Sequence, residues 1–405
     1  MSKNVWIINE YAGTPYHGME FRHYYLGREL IKLGNKVTIV SSSYSHLYKN
    51  LPNIGNAYTF EEIDGINYVW VKVPHYSNST DKKRVLKWFV FTFKLFFLPF
   101  KKMEKPDVVI ASPMAPFLAV PAYRIAKKYD AKFFYEIKDV WPLSIIELGN
   151  ISETNPLIKL MSWCEKFALN KADKVVSSLQ NYGEHIQELG IDKDFVWINN
   201  GISLDEMQNI EKLPQEVEKQ LPKNKFIVGY TGTIGIANGL EYFCEAAKIL
   251  KDNSNITFVI VGDGKLKPKL QKEYAELDNL TFIEPIPKAQ MQSMLQKFDA
   301  CFIGLKKERL FKYGVSPNKL FDYMYSVKPI VYAIDSGKAN IVNLYSCGIS
   351  VEPENAKDIV KGVLKLYNLE TKDREEMGNR GKKAVIEQFS YEKLAQKYVK
   401  ILEEK

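Results

Sequence analysis

The sequence predicts an α/β protein of two Rossmann-like, doubly wound domains whose parallel sheets face each other across a ligand-binding cleft. Three observations carry that prediction. Short β-branched runs alternate with longer stretches of helical period along the whole chain, the pattern of βαβ units. The 405 residues exceed one ordinary hydrophobic core and suit two domains of roughly 200 residues each. The alternation breaks at Asn199-Asn200-Gly201 and the polar stretch 209–225, then starts afresh.

In the first half, strands are expected at residues 5–9, 36–41, 67–73, 107–112, 132–136 and 174–178. Helical patterns lie between them at 20–33, which Gly34 stops, and at 116–128 and 155–169. The second half repeats the scheme with strands at 226–230, 256–261, 281–283, 300–305 and 329–333. Alternation of this kind makes a parallel sheet covered on both faces. The domains so read are residues 1–200 and 201–387. A last helix within 388–405, at 391–404, is expected to pack back on the first domain.

Composition is that of a globular protein, and the net charge of +8 is mild for this length. With no zinc-finger spacing and no RNA-binding aromatic signature, it does not point to nucleic acid. The chain enters a strand at Val5-Trp6-Ile7-Ile8 without the features of a signal peptide, so a cytoplasmic location is expected. Cys164, Cys244, Cys301 and Cys347 are widely spaced and read as buried, reduced thiols. Charge is concentrated between Lys82 and Lys102, where seven basic residues and no acidic one are interleaved with Trp88, phenylalanines and leucines. The stretch is too short and too charged to span a bilayer. Two readings fit it: a segment lying in an anionic membrane surface, or a helix packed on the sheet with its basic ends in water.

The segment most suggestive of chemistry is Ser316-Pro317-Asn318-Lys319-Leu320-Phe321-Asp322, between two expected strands. Ser316 suits an N-cap and Pro317 the first helical position, which leaves the amides of Asn318, Lys319 and Leu320 to face an anion. Lys319 adds a mobile positive charge. Asp322, one turn further on, can accept hydrogen bonds from ribose hydroxyls. The same spacing also fits a plain capped helix with both charges in water. Glycine-bearing loops follow other strands: Gly13 to Gly18, Thr231-Gly232-Thr233-Ile234-Gly235 and Gly262-Asp263-Gly264. None is a dinucleotide fingerprint. Asp192-Lys193-Asp194 has the D-x-D spacing of metal-dependent transferases but sits in a polar turn, so no metal site is expected. His17 reads as structural.

Residues 316–329, SPNKLFDYMYSVKP, together with Asp139-Val140-Trp141-Pro142, Asn200-Gly201-Ile202, Val261-Gly262-Asp263-Gly264 and the opening loop with Arg22, resemble retaining GT-B glycosyltransferases. The resemblance runs over essentially the whole chain. It is strongest to the branch that builds bacterial surface polysaccharides, typified by N-acetyl-fucosaminyl transferases of O-antigen synthesis.

That resemblance implies a nucleotide-sugar donor, with UDP the expected nucleotide, in the second domain. It implies an acceptor, a polyprenyl-diphosphate-linked saccharide of O-antigen or capsule synthesis, on the first. The enzyme would sit peripherally on the inner face of the plasma membrane and need no metal or other cofactor. By position, donor contacts would come from Gly18, Thr233, Gly262, Asp263, Gly264, Ser316, Asn318, Lys319, Leu320 and Asp322. Acceptor or membrane contacts would come from Arg22, Arg84, Lys87 and Trp88. Catalysis would rest on Lys319 and on Lys138 and Asp139, either of which could face the reaction; Asp139 would orient the sugar or acceptor, or merely cap the turn before Pro142, and Lys138 would balance diphosphate charge. The chain departs from the pattern in carrying Gly314, Thr233 and Asn238 where many relatives have an acid, an Arg and a Lys. Two rivals remain at this level, a nucleotide-sugar 2-epimerase and a non-catalytic nucleotide-sugar-binding subunit. The basic aromatic segment argues against the epimerase.

Overall fold

The computed structural model describes residues 2–18, 20–78 and 81–404. Contacts divide them into two compact units, one made of residues up to Asn200 plus those from Tyr391 onward, the other of Gly201–Ser390. Each unit is a Rossmann-like α/β domain.

The first unit holds strands β1 (Asn4–Ile8), β2 (Lys36–Ser42), β3 (Tyr58–Ile63), β4 (Ile66–Val71), β5 (Val108–Ala111), β6 (Lys132–Ile137), β7 (Lys174–Ser177) and β8 (Phe195–Trp197). Their order is β3-β4-β2-β1-β5-β6-β7-β8, parallel except for the antiparallel β3–β4 pair. Every residue of β1 is buried, as a central strand between two helical layers requires. β3 was not expected, because its residues are polar and half-exposed, as befits a sheet edge. Its signal is the Asp64-Gly65 pair, both residues at positive φ, which closes a tight hairpin onto β4.

The second unit holds β9 (Phe226–Thr231), β10 (Ile256–Val261), β11 (Leu280–Ile283), β12 (Ala300–Gly304), β13 (Ile330–Ala333) and β14 (Gly348–Ser350). They form one wholly parallel sheet in the order β11-β10-β9-β12-β13-β14. In both units the strand order reverses at the first strand: β1 lies between β2 and β5, and β9 between β10 and β12, with later strands added outward on either side. That reversal opens a crevice at the carboxyl ends of the central strands, and functional loops belong there.

The chain returns to the first unit at Tyr391, three residues later than the expected 388, since 388–390 pair within the second unit through Ile202 N–H to Phe389 O at 3.0 Å. Helix Tyr391–Glu403 then buries Leu394, Tyr398, Ile401 and Leu402 in the core built on Val5, Ile7 and Leu30. The Tyr391 ring lies 5.0 Å from that of Tyr25 on helix Arg22–Lys32.

Helix Lys83–Leu95 carries most of the basic aromatic segment. Lys87 and Trp88, expected to face acceptor or membrane, instead point into the protein, 0% and 5% exposed. They share the inward stripe with Phe91 and Leu95, while Leu86, Phe89 and Phe93 occupy the outer face. All four cysteines are buried and free, and burial pushes the Cys164 thiol up to about 11 and those of Cys301 and Cys347 to about 12.

Full burial of one aliphatic or aromatic side chain is worth roughly 1.5–3 kcal/mol, so the last helix contributes on the order of a domain's whole net stability. A chain ending at Ser390 is therefore expected to lose hydrogen-exchange protection in β1, β2 and β5 while β9, β10 and β12 keep theirs. Retained protection in β1 would show that the helix is dispensable.

Candidate functional site

In the second unit, the loops after β9 and β10 lie backbone to backbone. Gly232 N–H donates to Val261 O at 2.9 Å and Ile234 N–H to Asp263 O at 2.8 Å. A Cβ on Gly262 would stand 2.0 Å from the Gly232 carbonyl oxygen, and one on Gly264 would stand 2.5 Å from that of Ile234. Both glycines are also at positive φ. This close approach accounts for the two glycines, while Asp263 and Thr233 remain exposed at the loop tips.

Helix Asn318–Tyr325 brings the Lys319 side chain against Gly232 in the first of these loops. The start differs from expectation. Pro317, at φ −73° and ψ 125°, is the N-cap, and Ser316 lies one residue outside. The Pro317 carbonyl accepts from Leu320 N–H at 3.0 Å, so Leu320 is spent within the turn and Asn318 and Lys319 supply the helix's first two amides. Tyr323 fastens the helix to the end of β9, its hydroxyl accepting from Thr231 N–H at 2.8 Å.

The Lys319 amine is lodged at the centre of this arrangement. Its Nζ donates to Tyr230 Oη and lies 4.0 Å from the centroid of that ring. A Cβ added to Gly232 would come within 3.0 Å of it. Desolvation lowers the amine's pKa to about 7. The ribose candidate Asp322 is 8% exposed and already engaged, since Lys288 Nζ lies 2.6 Å from each carboxylate oxygen.

In the first unit the residues at the carboxyl ends of β1, β5 and β6 form a buried polar network around Glu136. Arg22 donates from Nε at 3.1 Å and Nη2 at 2.9 Å to Glu136 Oε1, and His23 Nε2 is 2.8 Å from Oε2. Tyr398 of the last helix donates to Oε1 as well. Arg22 also binds the carbonyls of Ile198 and Asn199. Desolvation opposes the Glu136 charge, but Arg22 and His23 outweigh it and hold the carboxyl well below its ordinary range. Arg22, expected at an acceptor, is thus an interior residue whose charge is consumed by Glu136.

Lys138 donates to Glu20 Oε1, so the charge expected to balance a diphosphate is already paired. The next residue, Asp139, is exposed. Nearby protein still desolvates its carboxyl and raises it, opposed by Lys138 and reinforced by Glu20. The direct exposure of Asp139 limits how large that effect is.

Arg84, Lys87 and Trp88 converge on Tyr11. Arg84 Nε and Trp88 Nε1 donate to its hydroxyl at 3.2 and 3.0 Å, and Lys87 Nζ sits 3.6 Å from its ring centroid. Lys87 also donates to the Glu10 carbonyl at 3.0 Å, and desolvation lowers its amine to about 7. Gly18, expected at the donor, belongs to this unit. It closes a turn through Gly18 N–H to Thr14 O at 2.9 Å. His17 is buried beside Trp70, with Nδ1 2.8 Å from Thr14 Oγ1. Asp192 and Asp194 are exposed.

Residues 211–384 match the family "Glycosyl transferases group 1", and residues 16–206 match "Glycosyltransferase Family 4". The protein is a glycosyltransferase with the GT-B fold. Among similar proteins is the Escherichia coli (strain K12) "Putative colanic acid biosynthesis glycosyl transferase WcaI", 24% identical over 82% of this chain and 84% of that one. Sucrose-phosphate synthase from Thermosynechococcus elongatus shares the fold with a TM-score of 0.72 at 14% identity, over 98% of each chain. Anabaena HepE in complex with UDP and glucose superposes with a TM-score of 0.64 at 12% identity, over 99% of each.

Glu20, His23, Tyr398 and the exposed Lys288 are the members of these side-chain networks that the sequence marks least. Their partners lie between 34 and 262 positions away along the chain, or within a helix of ordinary pattern. One signal was present: β6 reads Lys-Phe-Phe-Tyr-Glu-Ile, and an acid inside a strand buried on both faces must have a fixed cationic partner.

The Lys319 amine is expected to titrate near 7 in the folded enzyme, followed by NMR of the 13C-dimethylated lysine and assigned with Lys319→Arg. In the unfolded chain the amine titrates near 10.4. Between these values the unfolded chain binds more protons, so Lys319 makes stability rise with pH from about 7 to about 10. A midpoint above 10 would mean that the amine is in free contact with water.

Proposed function

We propose that this glycosyltransferase moves a sugar from a UDP-sugar, with retention of configuration, to a polyprenyl-diphosphate-linked saccharide in the synthesis of a bacterial surface polysaccharide. The observation that carries the reading is the desolvated Lys319 amine, held against Gly232 beside the two leading amides of helix Asn318–Tyr325. A diphosphate placed there would meet a cation and a helix start together, the combination that stabilises a departing anion without a metal. HepE, which binds UDP and glucose, supports the choice of nucleotide. The colanic acid assignment of the Escherichia coli relative supports the choice of product.

In this reading the bond between the anomeric carbon and the β-phosphate oxygen breaks as the acceptor oxygen bonds to the same face of that carbon. The acceptor proton passes to a phosphate oxygen of the departing UDP, so no protein base is required. Lys319 holds the developing phosphate charge. Asp322 exchanges Lys288 for the ribose hydroxyls, and the exposed carboxylate of Asp139 orients the transferred sugar or the acceptor. Lys138 serves by fixing Glu20 rather than by touching phosphate.

The lipid-linked acceptor places the enzyme at the inner face of the membrane. Leu86, Phe89, Phe93 and Phe97 support this placement, since they leave apolar rings and a leucine in water along one side of the Lys83–Leu95 helix and its extension. Among the described residues no helix is long and apolar enough to cross a membrane.

Incubating the enzyme with UDP-sugars, with and without a polyprenyl-diphosphate saccharide, is expected to give glycosyl transfer only with both substrates and an unchanged anomeric configuration. Epimerised nucleotide sugar, or binding with no product, would overturn the reading. Lys319→Ala should lower kcat/KM at limiting donor by tenfold or more, the loss of a charge-assisted hydrogen bond worth about 1.5–3 kcal/mol. Asp139→Ala should lower kcat far more than donor affinity measured by calorimetry.

A further inference from the structure

A cavity of about 300 Å³ lies between the end of the basic aromatic segment and helix Ala119–Tyr129. Phe96, Phe100, Pro121 and Ile125 give it apolar walls, and Arg124 and Lys128 complete its lining. Both cations lie over walls of the cavity, Arg124 Cζ 5.2 Å from the Phe96 ring centroid and Lys128 Nζ 3.7 Å from that of Phe100. Each is exposed, and among the described residues neither pairs with a carboxylate. The segment from Lys82 to Lys102 that supplies two of the walls contains no acid.

The pocket therefore has two chemistries that no single soluble ion satisfies. Its walls remove apolar surface from water, and its rim offers two uncompensated charges with a hydrogen-bonding fork on Arg124. An amphiphile with an anionic head satisfies both. Phe96 sits in the chain between Phe93 and Phe97, which are 63% and 61% exposed, so the opening belongs to the surface proposed above to meet the membrane.

We propose that this cavity binds one anionic phospholipid of that membrane, its phosphate held by Arg124 and Lys128 and the start of its acyl chain against Phe96, Phe100 and Ile125. The proposal rests on the membrane reading and sharpens it from general attraction to a built site. General attraction depends on the number of basic residues near the surface, each contributing about 1 kcal/mol wherever it lies. A built site depends on two particular ones.

The test compares two double variants that remove equal charge from exposed positions. Arg124→Ala/Lys128→Ala strips the rim, and Lys101→Ala/Lys102→Ala strips neighbouring lysines outside the cavity. Sedimentation with vesicles of phosphatidylcholine alone, or mixed with phosphatidylglycerol, reads the binding, and circular dichroism confirms that both variants are folded. The wild type is expected to bind only the anionic vesicles. The rim variant should bind them about tenfold more weakly than the control variant, the factor that a lost charge-assisted hydrogen bond brings. Equal losses in the two variants would overturn the cavity while leaving the membrane reading intact. Failure of the wild type to bind anionic vesicles would overturn both. In solution, short-chain phosphatidylglycerol is expected to perturb NMR signals of Phe96 and Ile125 and inorganic phosphate is not; an equal effect from phosphate would overturn the lipid as occupant.

Discussion

The first unit depends on one buried carboxylate. Glu136 stands at the end of a strand with protein on both faces, and an unpaired charge there would cost several kcal/mol. Arg22, His23 and Tyr398 meet it from two helices, one at each end of the chain, and Arg22 extends the contact to the carbonyls after β8. The network fixes the height at which helix Arg22–Lys32 and helix Tyr391–Glu403 sit on the sheet. It also sets the direction in which β6 delivers Lys138 and Asp139. A pair of this kind adds little net stability against an apolar equivalent, but removal of one partner is expensive, so it specifies an arrangement more than it strengthens one. Asp139 lies exposed two residues beyond Ile137.

The second unit reaches its chemistry by a different physical route. Among the described residues the ion pair beside the loops after β9 and β10, Lys267 with Glu284, has its carboxylate in water. The loop backbones pack so closely that only glycine fits at 262 and 264. Beside them helix Asn318–Tyr325 holds the partly dehydrated amine of Lys319 against Tyr230. An amine so held is poised to gain a proton when an anion arrives, because the anion restores the electrostatic support that water no longer gives. Lys288 plays the matching part for Asp322 by orienting its carboxylate.

The α/β class, the break near residue 200, and every central strand were legible in the sequence, because strands buried on both faces read as near-continuous apolar runs. Edge strands were not. β3 is polar, and β8 and β14 are three residues long. The loop-to-helix course of residues 316–322 was legible as well, but its details were not. Ser316 and Pro317 shift by one position because backbone torsion, which composition does not encode, decides where a helix begins. The basic aromatic segment misled most at Lys87 and Trp88. Its period of 3.6 marks two faces without saying which is inward, and the inward face proved to hold the lysine, stabilised by the Tyr11 ring and the Glu10 carbonyl.

The central claim is that a nucleoside diphosphate seats on the first turn of helix Asn318–Tyr325 against the loops after β9 and β10. Hydrogen exchange of the enzyme with and without UDP tests it most directly. Slowed exchange concentrated in peptides covering 231–235, 262–265 and 316–320, with β1 to β8 unaffected, is the expected result. Unchanged exchange in 316–320 at saturating UDP, or protection confined to the loop 13–18 of the first unit, would contradict it.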